Sequence, residues 1–139
     1  MLALSAPIIP ALLRPGTVVS VWIFPFFRHR GIVSNRFYGN EPMVISNSAR
    51  VGGIAEEPWD IFAADKVVYA DGYPSNLPSL EVLRRARAPI GKPYHLLRWN
   101  CEHFTRYAHG QEPESPQLAT MVILAAMVLI VGSVTARSG

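Results

Sequence analysis

The chain has 139 residues, half of them hydrophobic and 17% charged, with a formal net charge of +3. That length fits one domain with a modest core. The small positive charge is scattered, and its one compact run, Arg84-Arg85-Ala86-Arg87, has no interleaved aromatics and reads as the solvated face of a helix, which argues against a nucleic-acid partner. A single cysteine excludes an intramolecular disulfide, and the sequence carries neither a metal-ligand cluster nor a phosphate-cradling glycine loop, so no cofactor and no metal is expected.

Residues 1–15 read as an apolar arm broken by Pro7 and Pro10, without the basic region that opens a secretion signal. Gly16–Phe24 is β-branched and aromatic and predicts a strand, stopped by Pro25. A short strand over Arg30–Ser34 follows, then turn-like residues Asn35–Asn40. Met43–Ser46 predicts a third strand, Gly52-Gly53 a turn, and Ile54–Glu57 and Val67–Tyr69 two short strands with a helical turn at Pro58–Ala63 between them. Ser79 is placed to cap a helix over Leu80–Ala88, which Pro89-Ile90-Gly91-Lys92-Pro93 breaks. A second helix begins after Asn100, with Phe104, Tyr107 and Ala108 at helical spacing and Gly110 able to end it. Strands first and helices later predict an α+β fold with an antiparallel sheet.

Residues 113–117, with Pro113 and Pro116, read as a linker into an uninterrupted apolar run at 118–134. Its apolar residues cover every face, unlike the one-sided stripe of a surface helix. A helix of this length at ~1.5 Å per residue spans about 25–28 Å, which predicts a single-pass membrane anchor over 118–136.

The only cysteine sits in Trp99-Asn100-Cys101-Glu102-His103-Phe104. A lone cysteine is commonly a small buried hydrophobe. Here Asn100 is a good N-cap, so Cys101 falls in the first turn of a helix, where the dipole favours the nucleophilic thiolate. A thiol nucleophile needs a base. Of the four histidines, His103 is two positions from Cys101 and on a helix faces away from it. His95 lies in a loop, and His109 is near a helix end. His29, in Arg28-His29-Arg30-Gly31-Ile32-Val33 at the mouth of a strand, is the best placed.

A histidine followed by a strand, then Asn-Cys-Glu-His-Phe on a helix, resembles the lecithin:retinol acyltransferase-like family, which includes the H-Ras-like suppressor phospholipase/acyltransferases. The likeness extends over about residues 14–117 and includes Gly16-Thr17-Val18-Val19, Gly91-Lys92-Pro93-Tyr94 and Ser115-Pro116-Gln117. It implies a permuted papain-like (NlpC-type) catalytic domain over 16–112, with histidine before cysteine in the chain and a C-terminal hydrophobic helix after it. It further implies Cys101 as nucleophile, His29 as general base and acid, an acyl-thioester intermediate, a phospholipid or other acyl-lipid substrate, and a membrane location with the catalytic domain on the cytoplasmic side. Family members place a second histidine on the next strand to orient the first. Here the matching stretch reads Met43-Val44-Ile45-Ser46-Asn47-Ser48. Asn47 is assigned the orienting role, since an amide oxygen can accept an imidazole N–H, with Ser46 as the alternative, because strand alternation lets only one of the two face the site. Trp22, Phe24, Phe26, Phe27 and Trp99 would make the surroundings apolar. A cysteine amidase or peptidase, and a non-catalytic membrane-associated interaction protein, are the competing readings. The sequence names no protein partner.

Overall fold

The computed structural model describes residues 8–25, 27–95, 100–112 and 115–137, with the side chains of residues 24 and 133–137 excepted. Most of the arm at 1–7, and Phe26 and Trp99 of the expected apolar surround, therefore lie outside the described residues.

The fold is α+β, as expected. Strands β1 (Val18–Phe24), β2 (Phe27–Tyr38), β3 (Glu41–Ser48) and β4 (Gly53–Glu57) form an antiparallel meander. After α1 (Trp59–Ala63), strand β5 (Tyr69–Gly72) returns to the outer edge of β1, giving the order β4-β3-β2-β1-β5. Helices α2 (Ser79–Arg87), α3 (Cys101–Ala108) and α4 (Pro116–Arg137) complete the chain. Alternation along the strands gives the sheet two buried faces. Val18, Ile32 and Ile45 pack under Leu83 and Ala86 of α2 and Phe104 and Ala108 of α3. Val19, Val21, Val33 and Val44 pack under Trp59, Phe62 and Ala63 of α1.

The largest departure from expectation is β2. It continues through the stretch predicted as a turn, and the chain reverses only at Gly39-Asn40, with Tyr38 opposite Glu41 and Gly39 at φ 64°. Cross-strand pairing and the aromatic pair Phe37-Tyr38 override the local turn signal of Asn35. A register irregularity between Val33 and Phe37 absorbs the extra length. The strand expected at Val67–Tyr69 lies at Tyr69–Gly72, where Gly72 pairs with Val18 and Asp71 forms an ion pair with Arg28 at 3.2 Å. Ser79 is the first residue of α2 rather than its cap, and its hydroxyl accepts from Arg14 Nε at 3.1 Å.

The helix α4 starts at Pro116, so part of the expected linker is helical. Ser115 caps it, its Oγ accepting from the Leu118 N–H at 3.2 Å. From Ala119 to Gly132 every residue is exposed. Among the described residues, however, no helix is long and apolar enough to cross a membrane. The single-pass anchor expected over 118–136 is therefore not supported.

Candidate active site

The local sequence builds the start of α3 as predicted. Asn100 is in extended conformation, and its side-chain oxygen accepts from the N–H groups of Glu102 (3.0 Å) and His103 (3.2 Å). His103 Nδ1 in turn accepts from the Asn100 N–H at 3.0 Å, closing a capping box in which histidine stands where glutamate is usual. This explains His103: it is a cap. His109 is structural too, with its Nε2 2.7 Å from the Gly16 carbonyl and its Nδ1 2.6 Å from Ser75 Oγ. His95 is exposed.

Cys101 is the first residue of α3 and is 2% exposed. Its Sγ lies 3.7 Å from the Arg28 carbonyl, on the edge of β2 beside His29. Cys101 and His29 line one cavity of about 330 Å³, whose walls include Val21, Ile23, Phe27, Ile61 and Phe62. The structure thus brings together the two residues that sequence reasoning paired, although no hydrogen bond joins them. The imidazole packs against the Phe62 ring, with centroids 5.3 Å apart. Gly31, on the same face two residues on, makes that packing possible. A Cβ there would lie 2.5 Å from Val44 Cγ1 and 2.9 Å from the Phe62 ring.

Burial sets the electrostatics. Desolvation pushes the Cys101 thiol up to about 11, against the opposing pull of the Arg30 backbone N–H. The expectation that the helix dipole favours the thiolate is therefore corrected, because desolvation outweighs it. Desolvation also brings His29 down to about 4, helped by the positive charge of Arg50 and opposed by Glu57. At neutral pH the resting pair is a neutral thiol and a neutral imidazole.

Asn47 does not join them in the cavity. Ile45 and Asn47 point to the α3 face of the sheet, while Ser46 points to the α1 face with His29. The Asn47 amide donates to the Asn100 carbonyl at 3.4 Å, behind the start of α3. Ser46, 3% exposed, and Ser48 line the cavity instead. Gly31 lies opposite Ser46, which places Ser46 diagonal to His29.

Several residues at the site had weaker signals in the sequence. Arg50 and Glu57 line the cavity as an ion pair at 2.6 Å, and Lys66 and Tyr94 complete that side. Gln117, in the first turn of α4, pairs with the β2 edge as another strand would: its Oε1 accepts from the Arg28 N–H at 2.6 Å and its Nε2 donates to the Arg28 carbonyl at 3.1 Å. Glu102, 3% exposed, accepts from Ser115 Oγ at 2.5 Å and from the Gln117 N–H at 3.1 Å. One carboxylate thus joins the starts of α3 and α4, where both helix dipoles favour a negative charge. Only the family-like Ser115-Pro116-Gln117 hinted at this from sequence. Among the described residues no cluster could hold a metal ion.

The model of the family described as lecithin retinol acyltransferase matches residues 24–114, a span holding both His29 and Cys101. A search of the curated proteins gives no match.

Proposed function

Because the chain belongs to the lecithin retinol acyltransferase family, we propose that it is a thiol acyltransferase or phospholipase acting on lipid esters. The observation that carries this reading is the shared cavity: the only cysteine, at a helix start, and a strand-borne histidine open onto one largely apolar space. Cys101 is the nucleophile. As its sulfur attacks the ester carbonyl, the thiol proton passes to His29, so no standing thiolate is required and a neutral imidazole is the competent resting form. The oxyanion is met by the Cys101 N–H at the start of α3, since the Glu102 and His103 N–H groups are held by Asn100. Collapse expels the alcohol, which takes the proton back from His29 and leaves an acyl-thioester. Water, an alcohol or an amine then gives a proton to His29, attacks the thioester and releases Cys101. Ser46 or Ser48 is suited to orient the imidazole, and Asn47 to hold the Asn100 carbonyl, so that Asn47 acts on α3 rather than on His29.

The helix α4 supplies the membrane contact. Its Ile123, Leu124, Val128 and Ile130 are exposed, and we infer that this apolar surface rests in lipid.

Turnover of phosphatidylcholine vesicles, set beside peptide substrates, tests the function. Wild type releases fatty acid or transfers acyl groups, and Cys101→Ala and His29→Ala each lose on the order of 10³-fold or more. Turnover of peptides alone would move the assignment to an amidase. A non-catalytic interaction protein draws on one observation, the high thiol pKa without a bond to imidazole. That reading predicts no turnover of either substrate, and a Cys101 that iodoacetamide does not modify at neutral pH.

A further inference from the structure

Given the acyl-thioester of the proposed function, on which this inference rests, we propose that Lys66 is an acyl acceptor of its own chain. The acyl group carried on Cys101 passes to the Lys66 amine and leaves an Nε-acyl-lysine. Arginine dominates the basic residues, and Lys66 and Lys92 are the only lysines among the thirteen. Arginine stays protonated and is no nucleophile, whereas a lysine amine becomes one when it loses its proton. Of the two lysines, Lys66 lines the cavity that Cys101 and His29 share.

A strained turn brings Lys66 there. Helix α1 carries Phe62, whose ring packs on the His29 imidazole with centroids 5.3 Å apart. The helix ends on two successive left-handed residues, Ala64 at φ 50° and Asp65 at φ 62°, neither of them glycine. The Ala64 N–H bonds to the Asp60 carbonyl at 3.0 Å, and the Lys66 N–H to the Ala63 carbonyl at 2.9 Å. The chain therefore folds back on α1, and Ile61, Phe62, Ala64 and Lys66 all face the cavity. Left-handed residues other than glycine are uncommon, and such strain gathers at functional sites.

Charge supports the same role. The cavity's Arg50 is held by both oxygens of Glu57, each at 2.6 Å. Lys66 makes no ion pair among the described residues. Its charge reaches His29, where it helps to keep the imidazole neutral. The Lys66 side is also exposed, so the ammonium can give its proton to water before it reacts. The neutral amine then adds to the thioester carbonyl; the C–N bond forms and the C–S bond breaks. The proton released by nitrogen passes through His29 to the departing sulfur, which restores the Cys101 thiol and the neutral imidazole. Water and diffusing acceptors compete for the same thioester, but Lys66 is held at the cavity.

The test follows the full chain by intact and peptide mass during incubation with phosphatidylcholine vesicles or with p-nitrophenyl decanoate. The first acyl mass, at pH 7.5, is the thioester that hydroxylamine removes. Over hours at pH 9, where more of the amine is neutral, an acyl mass that resists hydroxylamine builds up on the peptide containing Lys66. Lys92→Arg behaves as wild type does. Cys101→Ala and Lys66→Arg each lower the resistant mass about tenfold or more. Lys66→Arg keeps the positive charge beside His29, so what it removes is the amine. A thioester that forms and never yields the amide would overturn the proposal and leave the proposed function standing, with Lys66 only a charge beside His29. Equal acylation of Lys66 and Lys92, or acylation undiminished in Cys101→Ala, would mean direct attack on the donor and would also overturn it. No acyl mass from either donor would overturn the proposed function and this transfer together.

Discussion

Helices α3 and α4 invert the usual arrangement in opposite ways. The first turn of α3 buries Cys101, Glu102 and His103, with Asn100 ahead of it, whereas α4 exposes an apolar surface from Met121 to Val131. Buried polar groups are costly unless each has a partner. At α3 the partners are there: Asn100 holds two N–H groups, His103 holds Asn100, and Glu102 holds the start of α4. Exposed apolar groups are costly in water and favourable in lipid. The contrast teaches that one domain can bury polar groups at α3 and expose apolar ones at α4; in the proposed function α3 carries the chemistry and α4 the lipid contact, and Gln117 joins the two at Arg28.

The contrast can be broken first by acid. His29 titrates at about 4 in the folded chain against 6.5 when exposed. The unfolded chain therefore binds more protons between those values, so stability is full above about pH 6.5 and falls by about 3 kcal/mol as pH drops to about 4. At the other end the Cys101 thiol, raised from 9.0 to about 11, removes stability as pH climbs from 9 to 11. Denaturant titration from pH 4 to 11 should show a plateau between about 6.5 and 9, with the acid slope reduced in His29→Gln.

Next in size is Asn100→Ala. It removes the acceptor for two N–H groups, and the loss is about 2 kcal/mol by denaturant midpoint. Of similar size, Gly31→Ala forces a Cβ against Val44 and Phe62 and costs about 1–3 kcal/mol, moving the His29 ring as it does so. Smaller again, Gln117→Ala leaves the Arg28 N–H without its acceptor. The cost is about 1 kcal/mol, read as faster exchange of the Arg28 amide proton. The smallest effect on folding belongs to α4: Val128→Asp changes stability by no more than about 0.5 kcal/mol yet lowers binding to phosphatidylcholine vesicles severalfold in sedimentation.

What the sequence revealed follows the range of the forces involved. The Asn100-Cys101 helix start and the succession of strands then helices are local, and each was legible. Serine against asparagine at β3 needed the register of Gly31 with Ser46, which a run of Ser46-Asn47-Ser48 does not disclose. The turn signal at Asn35 lost to pairing with β3. The thiol pKa was misjudged because the dipole is a local property and burial is not. The pairing of Gln117 with Arg28 spans 89 positions and appears only once the sheet exists.

The account stands most directly on the mass of the intact protein after incubation with phosphatidylcholine vesicles at pH 7.5. Wild type should gain the mass of one acyl chain, hydroxylamine should remove it, and Cys101→Ala should gain nothing. A wild type that binds the vesicles and never carries the acyl mass, even when quenched within the first turnover, would contradict the thioester and with it the reading of α3 as the site of chemistry.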